Sequence, residues 1–124
     1  MTVPVLQNYI DGAFVTPSGT EMLDVVNPVD ESIVAHSPIS DAADVEAAMS
    51  AAASAFETWG KTTPSERQKV LLKLADAIEA HSDEIVEAQS RNTGQPKATI
   101  AAEEVTVGAD QIRFFAGAAR MLEG

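Results

Sequence analysis

Thr63-Pro64-Ser65-Glu66 is the stretch of this sequence that leaves the backbone least choice. A threonine followed three residues later by a glutamate forms a capping box, in which each side chain takes a backbone N–H of the other, and the proline between them brings the fixed φ of a first helical turn. The spacing therefore predicts a helix that starts at Pro64. Leu71, Leu74, Ala75 and Ile78 follow at three- and four-residue steps and line one apolar face, while Lys69, Lys73, Asp76 and Glu79 fall elsewhere. Such a face requires a covering partner.

The same reasoning partitions the rest of the chain. Leu6 to Ile10 and Ala13 to Val15 flank Asp11-Gly12, a dipeptide suited to a two-residue hairpin turn. Glu21 to Val26, ended by Asn27-Pro28, and Ile33 to Ser37, interrupted by Pro38, read as further strands. From Asp41 the period becomes helical. Ser40 or Asp41 caps a first helix with Asp44 in its opening turn, a stripe of Val45, Ala48, Met49, Ala52, Phe56 and Trp59, and Gly60 at its end. The second helix pauses near His81-Ser82, continues over Asp83 to Arg91 and meets its terminating glycine at Gly94. Pro96 opens the last helix. Its apolar positions, Ile100, Val105, Ile112, Phe115 and Met121, spread over more than one face and predict burial on several sides. The expected fold class is α+β, with three or four short strands in residues 1–40 followed by three or four helices in residues 41–124.

Composition narrows the function classes. A length of 124 residues suits one small domain. Nineteen acidic against eight basic residues, a net charge of −11, argue against binding nucleic-acid backbones or an anionic membrane surface. No run of eighteen apolar residues occurs, and Met1 to Gln7 lack the basic and apolar regions of a leader, so a cytoplasmic protein is expected. There is no cysteine, hence no disulfide framework, and stability has to come from packing or from partners.

Several local motifs occur in an order that resembles the N-terminal region of the NAD(P)-dependent aldehyde dehydrogenase superfamily. They are Tyr9-Ile10-Asp11-Gly12, Asn27-Pro28, the Phe56 to Trp59 helix end, the Arg67 to Asp76 helix and Thr93-Gly94-Gln95-Pro96, where the family has Thr-Gly-Lys-Pro. The likeness extends from about Asn8 to Gly124, and Arg91-Asn92-Thr93-Gly94 with Ile112 to Arg120 looks most like the branch that oxidises 4-aminobutyraldehyde or betaine aldehyde. The resemblance implies an α/β parent, with residues 1–124 as the N-terminal part of its cofactor-binding domain. It also implies NAD or NADP as the parent's cofactor, a small aldehyde as its substrate and a homo-oligomeric assembly. In this family a catalytic cysteine adds to the aldehyde carbonyl. This chain has none, and no G-x-G-x-x-G turn for a pyrophosphate, so it is expected to hold no catalytic or cofactor-binding residue and to be inactive alone, with no cofactor tightly bound.

The resemblance further implies two sets of site residues. Glu104, Val107 and Gln111 match positions along the substrate tunnel, where a carboxylate would pair with the amine end of the substrate; solvent exposure for Glu103 and Glu104 and core packing for Val107 are the alternatives. The carbonyls of Val25 and Val26, with Asn92 in place of a family carboxylate, match a Na⁺ or K⁺ site; support of a helix-terminating turn is the alternative for Asn92. His36 and His81 lack metal-type spacing, Phe56, Trp59, Phe114 and Phe115 suit core packing better than a cationic cage, and Arg113 and Arg120 suit surface ion pairs. Another branch of the superfamily, such as a semialdehyde dehydrogenase, and a non-catalytic acidic interaction module are the competing functions. Standing alone, the helices would leave apolar surface uncovered, and self-association or a molten state is expected.

Overall fold

The computed structural model describes residues 2–121. They form two compact units, Met1–Lys61 and Thr62–Gly124, so the first helix groups in space with the strands.

In the first unit, β1 (Asn8–Ile10) and β2 (Ala13–Val15) are antiparallel, with Tyr9 opposite Phe14 and Ile10 opposite Ala13. Asp11 and Gly12 both take positive φ, 52° and 78°, as a two-residue turn matching the strand twist demands. The Tyr9 and Phe14 rings meet edge to face at 5.1 Å. A second antiparallel pair joins β3 (Met22–Val26) to β4 (Ile33–Pro38), with an irregularity between Val25 and Val26 just before the Asn27-Pro28 turn. Pro38 does not interrupt β4 but closes it, opposite Met22. Leu6 lies outside β1: its N–H donates to the His36 carbonyl, and the His36 N–H to the Pro4 carbonyl, so residues 4–6 lie along the free edge of β4.

Helix α1 (Ala42–Trp59) starts at Asp41, whose Oδ1 accepts from the N–H groups of Ala43 and Asp44 while Asp44 Oδ2 accepts from the Asp41 N–H. Gly60 ends it, as expected, but in a right-handed conformation. No residue of α1 is buried, and the stripe bearing Val45, Met49, Phe56 and Trp59 is exposed, Phe56 by 68%. The sequence marks that face as one to be covered, and the covering surface does not come from this chain's described residues.

The second unit is helical. In α2 (Pro64–Ala80) the predicted box closes, with the Thr63 N–H donating to Glu66 Oε2 at 2.7 Å and the Glu66 N–H to Thr63 Oγ1 at 3.3 Å. Helix α3 (Ser82–Thr93) follows after the pause at His81 and stops at Gly94, whose φ of 75° is open to glycine at little cost. Helix α4 (Lys97–Thr99) is a single turn, after which Ile100–Val105 form a π-helical turn and α5 (Thr106–Ala118) resumes the α-helical register. The expected single helix from Pro96 is therefore broken by one wide turn. Both the N–H and the Oγ1 of Thr106 donate to the Ala101 carbonyl five residues back, the latter at 2.9 Å.

That turn decides the core. Val86, Ile100 and Val105 form the buried cluster, with Ile78, Ile85 and Ala101 against it. Residues five apart lie about 140° from each other on an α-helix, whereas a π turn brings them nearly into line. Ile100 and Val105 can thus share one core, and beyond it Ala109 and Ala116 are buried along α5 at α-helical steps. Phe115 and Met121, expected to be buried, are 61% and 78% exposed; Phe115 lies off the α5 face that carries Ala109 and Ala116, and Met121 lies beyond the end of α5. Across the α2–α5 interface Arg113 donates from Nη1 and Nη2 to both oxygens of Glu79, at 2.8 and 2.6 Å, and from Nη2 to Asp76 Oδ1 at 2.8 Å.

The caps, this clamp and the Lys97–Glu87 pair predict an acid-sensitive fold. Hydrogen bonds hold four carboxylates below their ordinary range: Ser18 and then the Asp44 N–H for Asp41, the Thr63 N–H and then its hydroxyl for Glu66, Arg113 for Glu79, and Lys97 for Glu87. Folded values below unfolded ones mean stability that is present above the unfolded carboxylate range and lost as pH falls through the lowered folded values. Helix content followed by circular dichroism from pH 7 downward is expected to hold to about pH 5 and then decline. In Glu66→Gln the N-terminal amides of α2 should lose that pH dependence in hydrogen exchange while those of α1 retain it; equal behaviour of both helices would refute the assignment.

Candidate functional site

The tunnel candidates lie on the last helical stretch of the second unit. Glu104 sits in the π turn and is exposed; Val107, 44% exposed, and Gln111 lie one turn apart on α5. Core packing is therefore not what Val107 does within this chain. Glu104 is anchored as well as exposed. Gln95 Nε2 donates to its Oε1 at 2.6 Å, Gln89 Nε2 donates to its Oε2, and the two amides meet at 3.4 Å between Gln89 Nε2 and Gln95 Oε1. Sequence reasoning missed both glutamines, and no periodicity marks them. The only signal is their placement on either side of the Gly94 stop, which folds residues 89 and 95 toward each other.

The backbone around that stop is tied by short polar side chains. Ser90 Oγ donates to the Gln95 carbonyl at 2.9 Å, Thr93 Oγ1 donates to the Gln89 carbonyl at 2.8 Å, and the Gln95 N–H donates to Thr93 Oγ1 at 3.3 Å. Asn92 is exposed in the last turn of α3. Of the other cation-site candidates, Val25 is half-buried and pairs with Ala35, while Val26 is exposed and pairs with Ile33 past the register irregularity. Val25 and Val26 belong to the first unit and Asn92 to the second.

The remaining polar candidates are structural. His36 Nδ1 meets Asp24 Oδ1 at 2.7 Å across the β3–β4 pair, and His81 Nδ1 meets Glu84 Oε1 at 3.3 Å on the surface. Among the described residues no three His, Cys, Asp or Glu side chains converge as a metal site. Arg113 is engaged as above, and Arg120 Nη1 donates to Gln68 Oε1 at 3.4 Å. Phe114 and Phe115 are neither core nor cage: they pack edge to face on each other at 5.4 Å and stay exposed. In the first unit a cleft of about 330 Å³ lies between the β1–β2 turn and Ala48, Ala51, Ala52 and Ala55 of α1. Its one ionisable side chain besides Tyr9 is Asp11, too little for acid–base chemistry. No helix among the described residues is long and apolar enough to cross a membrane.

The architecture has known counterparts. The aldehyde dehydrogenase family model matches residues 14–124. Over 118 residues, 95% of its length, the chain is 35% identical to a long-chain-aldehyde dehydrogenase of an Acinetobacter species and 36% identical to acetaldehyde dehydrogenase 2 of Cupriavidus necator, covering 24% and 23% of those proteins. PnpE in complex with nicotinamide adenine dinucleotide has the same fold, with a TM-score of 0.91 and 40% identity over 96% of this chain and 24% of that one. An NAD-dependent aldehyde dehydrogenase from Sinorhizobium meliloti gives 0.88 and 32% identity over 99% of this chain and 25% of its own. The chain thus spans about a quarter of the length of the relatives it matches. Motif order, the placement of strands and helices, and identity of 32 to 40% along nearly its whole length agree, and the chain belongs to the aldehyde dehydrogenase family.

Proposed function

We propose that this chain is the opening portion of a cytoplasmic, homo-oligomeric NAD(P)-dependent oxidoreductase that converts a cationic aldehyde, of the 4-aminobutyraldehyde or betaine aldehyde type, to a carboxylate. Its residues contribute scaffold and part of a substrate tunnel wall, and catalyse nothing by themselves. The observation that carries this reading is the family likeness of a chain that contains no cysteine. A thiolate is the group able to add to the carbonyl and leave hydride free to depart, and no side chain here replaces it. The residues present do not fit the nicotinamide cofactor either, since no glycine-rich turn leads into a helix N-terminus, and no step is assigned to them through it.

The substrate class rests on Glu104. An exposed carboxylate held in place and facing a tunnel would attract an ammonium group more strongly as water is excluded from around the pair. Val107 and Gln111, further along the same stretch, would shape the wall beside it. The Val25 and Val26 carbonyls would supply neutral oxygens to a Na⁺ or K⁺ ion. A second reading is favoured by the names of the relatives: the long-chain-aldehyde and acetaldehyde dehydrogenases are named for uncharged aldehydes, and a parent of that kind would leave Glu104 as a solvated surface group.

Two measurements test the proposal. The purified chain, mixed with 4-aminobutyraldehyde and NAD or NADP, is expected to form no reduced nicotinamide; any turnover refutes its inactivity. In the full-length enzyme, Glu104→Gln is expected to raise KM for the cationic aldehyde about tenfold while leaving that for a neutral aldehyde unchanged. Equal KM values for the cationic aldehyde in wild type and variant favour the uncharged-substrate reading.

A further inference from the structure

We infer that Gln89 and Gln95 are specificity-determining positioning residues: their two neutral amides aim the Glu104 carboxylate and leave its negative charge uncancelled for a cationic group on the substrate. This rests on the tunnel reading of Glu104 given above and adds to it the device that makes the charge effective.

Three observations support it. Both oxygens of Glu104 are taken by amide donors, Oε1 by Gln95 at 2.6 Å and Oε2 by Gln89, and the amides are themselves joined at 3.4 Å. A glutamate free on a helix surface samples several rotamers, and a carboxylate gripped at both oxygens does not. Second, the donors carry no charge. Among the described residues Lys97 is paired with Glu87 and Arg113 with Glu79 and Asp76, so these cations do not neutralise Glu104. Third, the donors are anchored at the backbone. Gln89 and Gln95 are half-buried, and the Ser90 and Thr93 hydroxyls fix the carbonyls of Gln95 and Gln89. Each carboxylate oxygen has a further lone pair, so an ammonium group can approach without displacing either amide.

A clamp made by lysine would hold the side chain equally well and cancel its charge. That difference separates aim from charge. In the full-length enzyme, KM and kcat are measured for 4-aminobutyraldehyde and for pentanal, its uncharged counterpart of equal length. Gln89→Leu and Gln95→Leu are expected to raise KM for the cationic aldehyde about tenfold, with kcat and the pentanal KM unchanged. Gln95→Lys, which keeps a donor at the same place, is expected to raise the cationic KM similarly, and it decides the matter if a leucine variant fails to fold. A KM ratio between the two aldehydes that stays at the wild-type value in all three variants, while Glu104→Gln abolishes the preference, overturns the positioning role and leaves the tunnel reading standing. Parallel rises for both aldehydes would mark a merely structural role and overturn it too. An unchanged ratio in Glu104→Gln would remove the tunnel reading itself.

Discussion

Replacing Ile100 with alanine is expected to cost the second unit about 2 to 5 kcal/mol, a large share of what a domain of this size can spare. Among the described residues Ile100 is the largest side chain with no exposed surface, and with Val86 and Val105 it packs α3 against the π turn. Truncation removes apolar surface and leaves a cavity that cannot collapse, because the π turn already fixes where Val105 sits. Ile100→Val should cost about 0.5 to 1.5 kcal/mol. Urea unfolding followed by helical ellipticity measures both; equal costs for the two variants would show that the cluster is not the hub of this unit.

The second large effect comes from neighbouring residues of α5 with opposite expected signs. Ala109 and Ala116 on α5 and Ala75 on α2 are fully buried, and small side chains are what let these two helices approach. Ala109→Leu forces the helices apart and is expected to destabilise by about 1 to 3 kcal/mol, loosening the Arg113 clamp to Glu79 and Asp76 as they separate. Gly108 precedes it on the same helix, and a Cβ added there would meet nothing within 4 Å. Gly108→Ala is therefore expected to stabilise by about 0.5 to 1 kcal/mol through helix propensity alone. Thermal melts of the two variants should move in opposite directions. A shift of the same sign in both would contradict the packing.

Legibility in the sequence followed the range of the interactions. The capping residues Asp41 and Thr63, the Asp11-Gly12 turn and the Gly94 stop are local devices within a few residues of the groups they satisfy, and each stands where the sequence places it. Apolar stripes were legible as stripes, but burial was not: Phe56, Phe114 and Phe115 carry the signature of packed residues, and all three are exposed. The break in the last helix was present as a five-residue step from Ile100 to Val105 followed by α-helical steps to Ala109 and Ala116. In the sequence alone it reads as spread over several faces. The grip on Glu104 was invisible, since Gln89 and Gln95 are brought together only by the reversal of the chain at Gly94 and have no pattern of their own. The family was legible because it rests on several local motifs in order.

The wide turn at Ile100–Val105 also governs where this helix can change length. An uninterrupted α-helix has no tolerance for a lost or gained residue, since each one swings everything beyond it by about 100°; in α2 such an edit would carry Ala75 out of its contact with solvent-free surroundings. Ile100–Val105 already contains one residue beyond ordinary pitch, so a deletion there would be absorbed by returning to that pitch. Homologues of different length are thus expected to place their gaps in this segment, keeping the frames on either side intact.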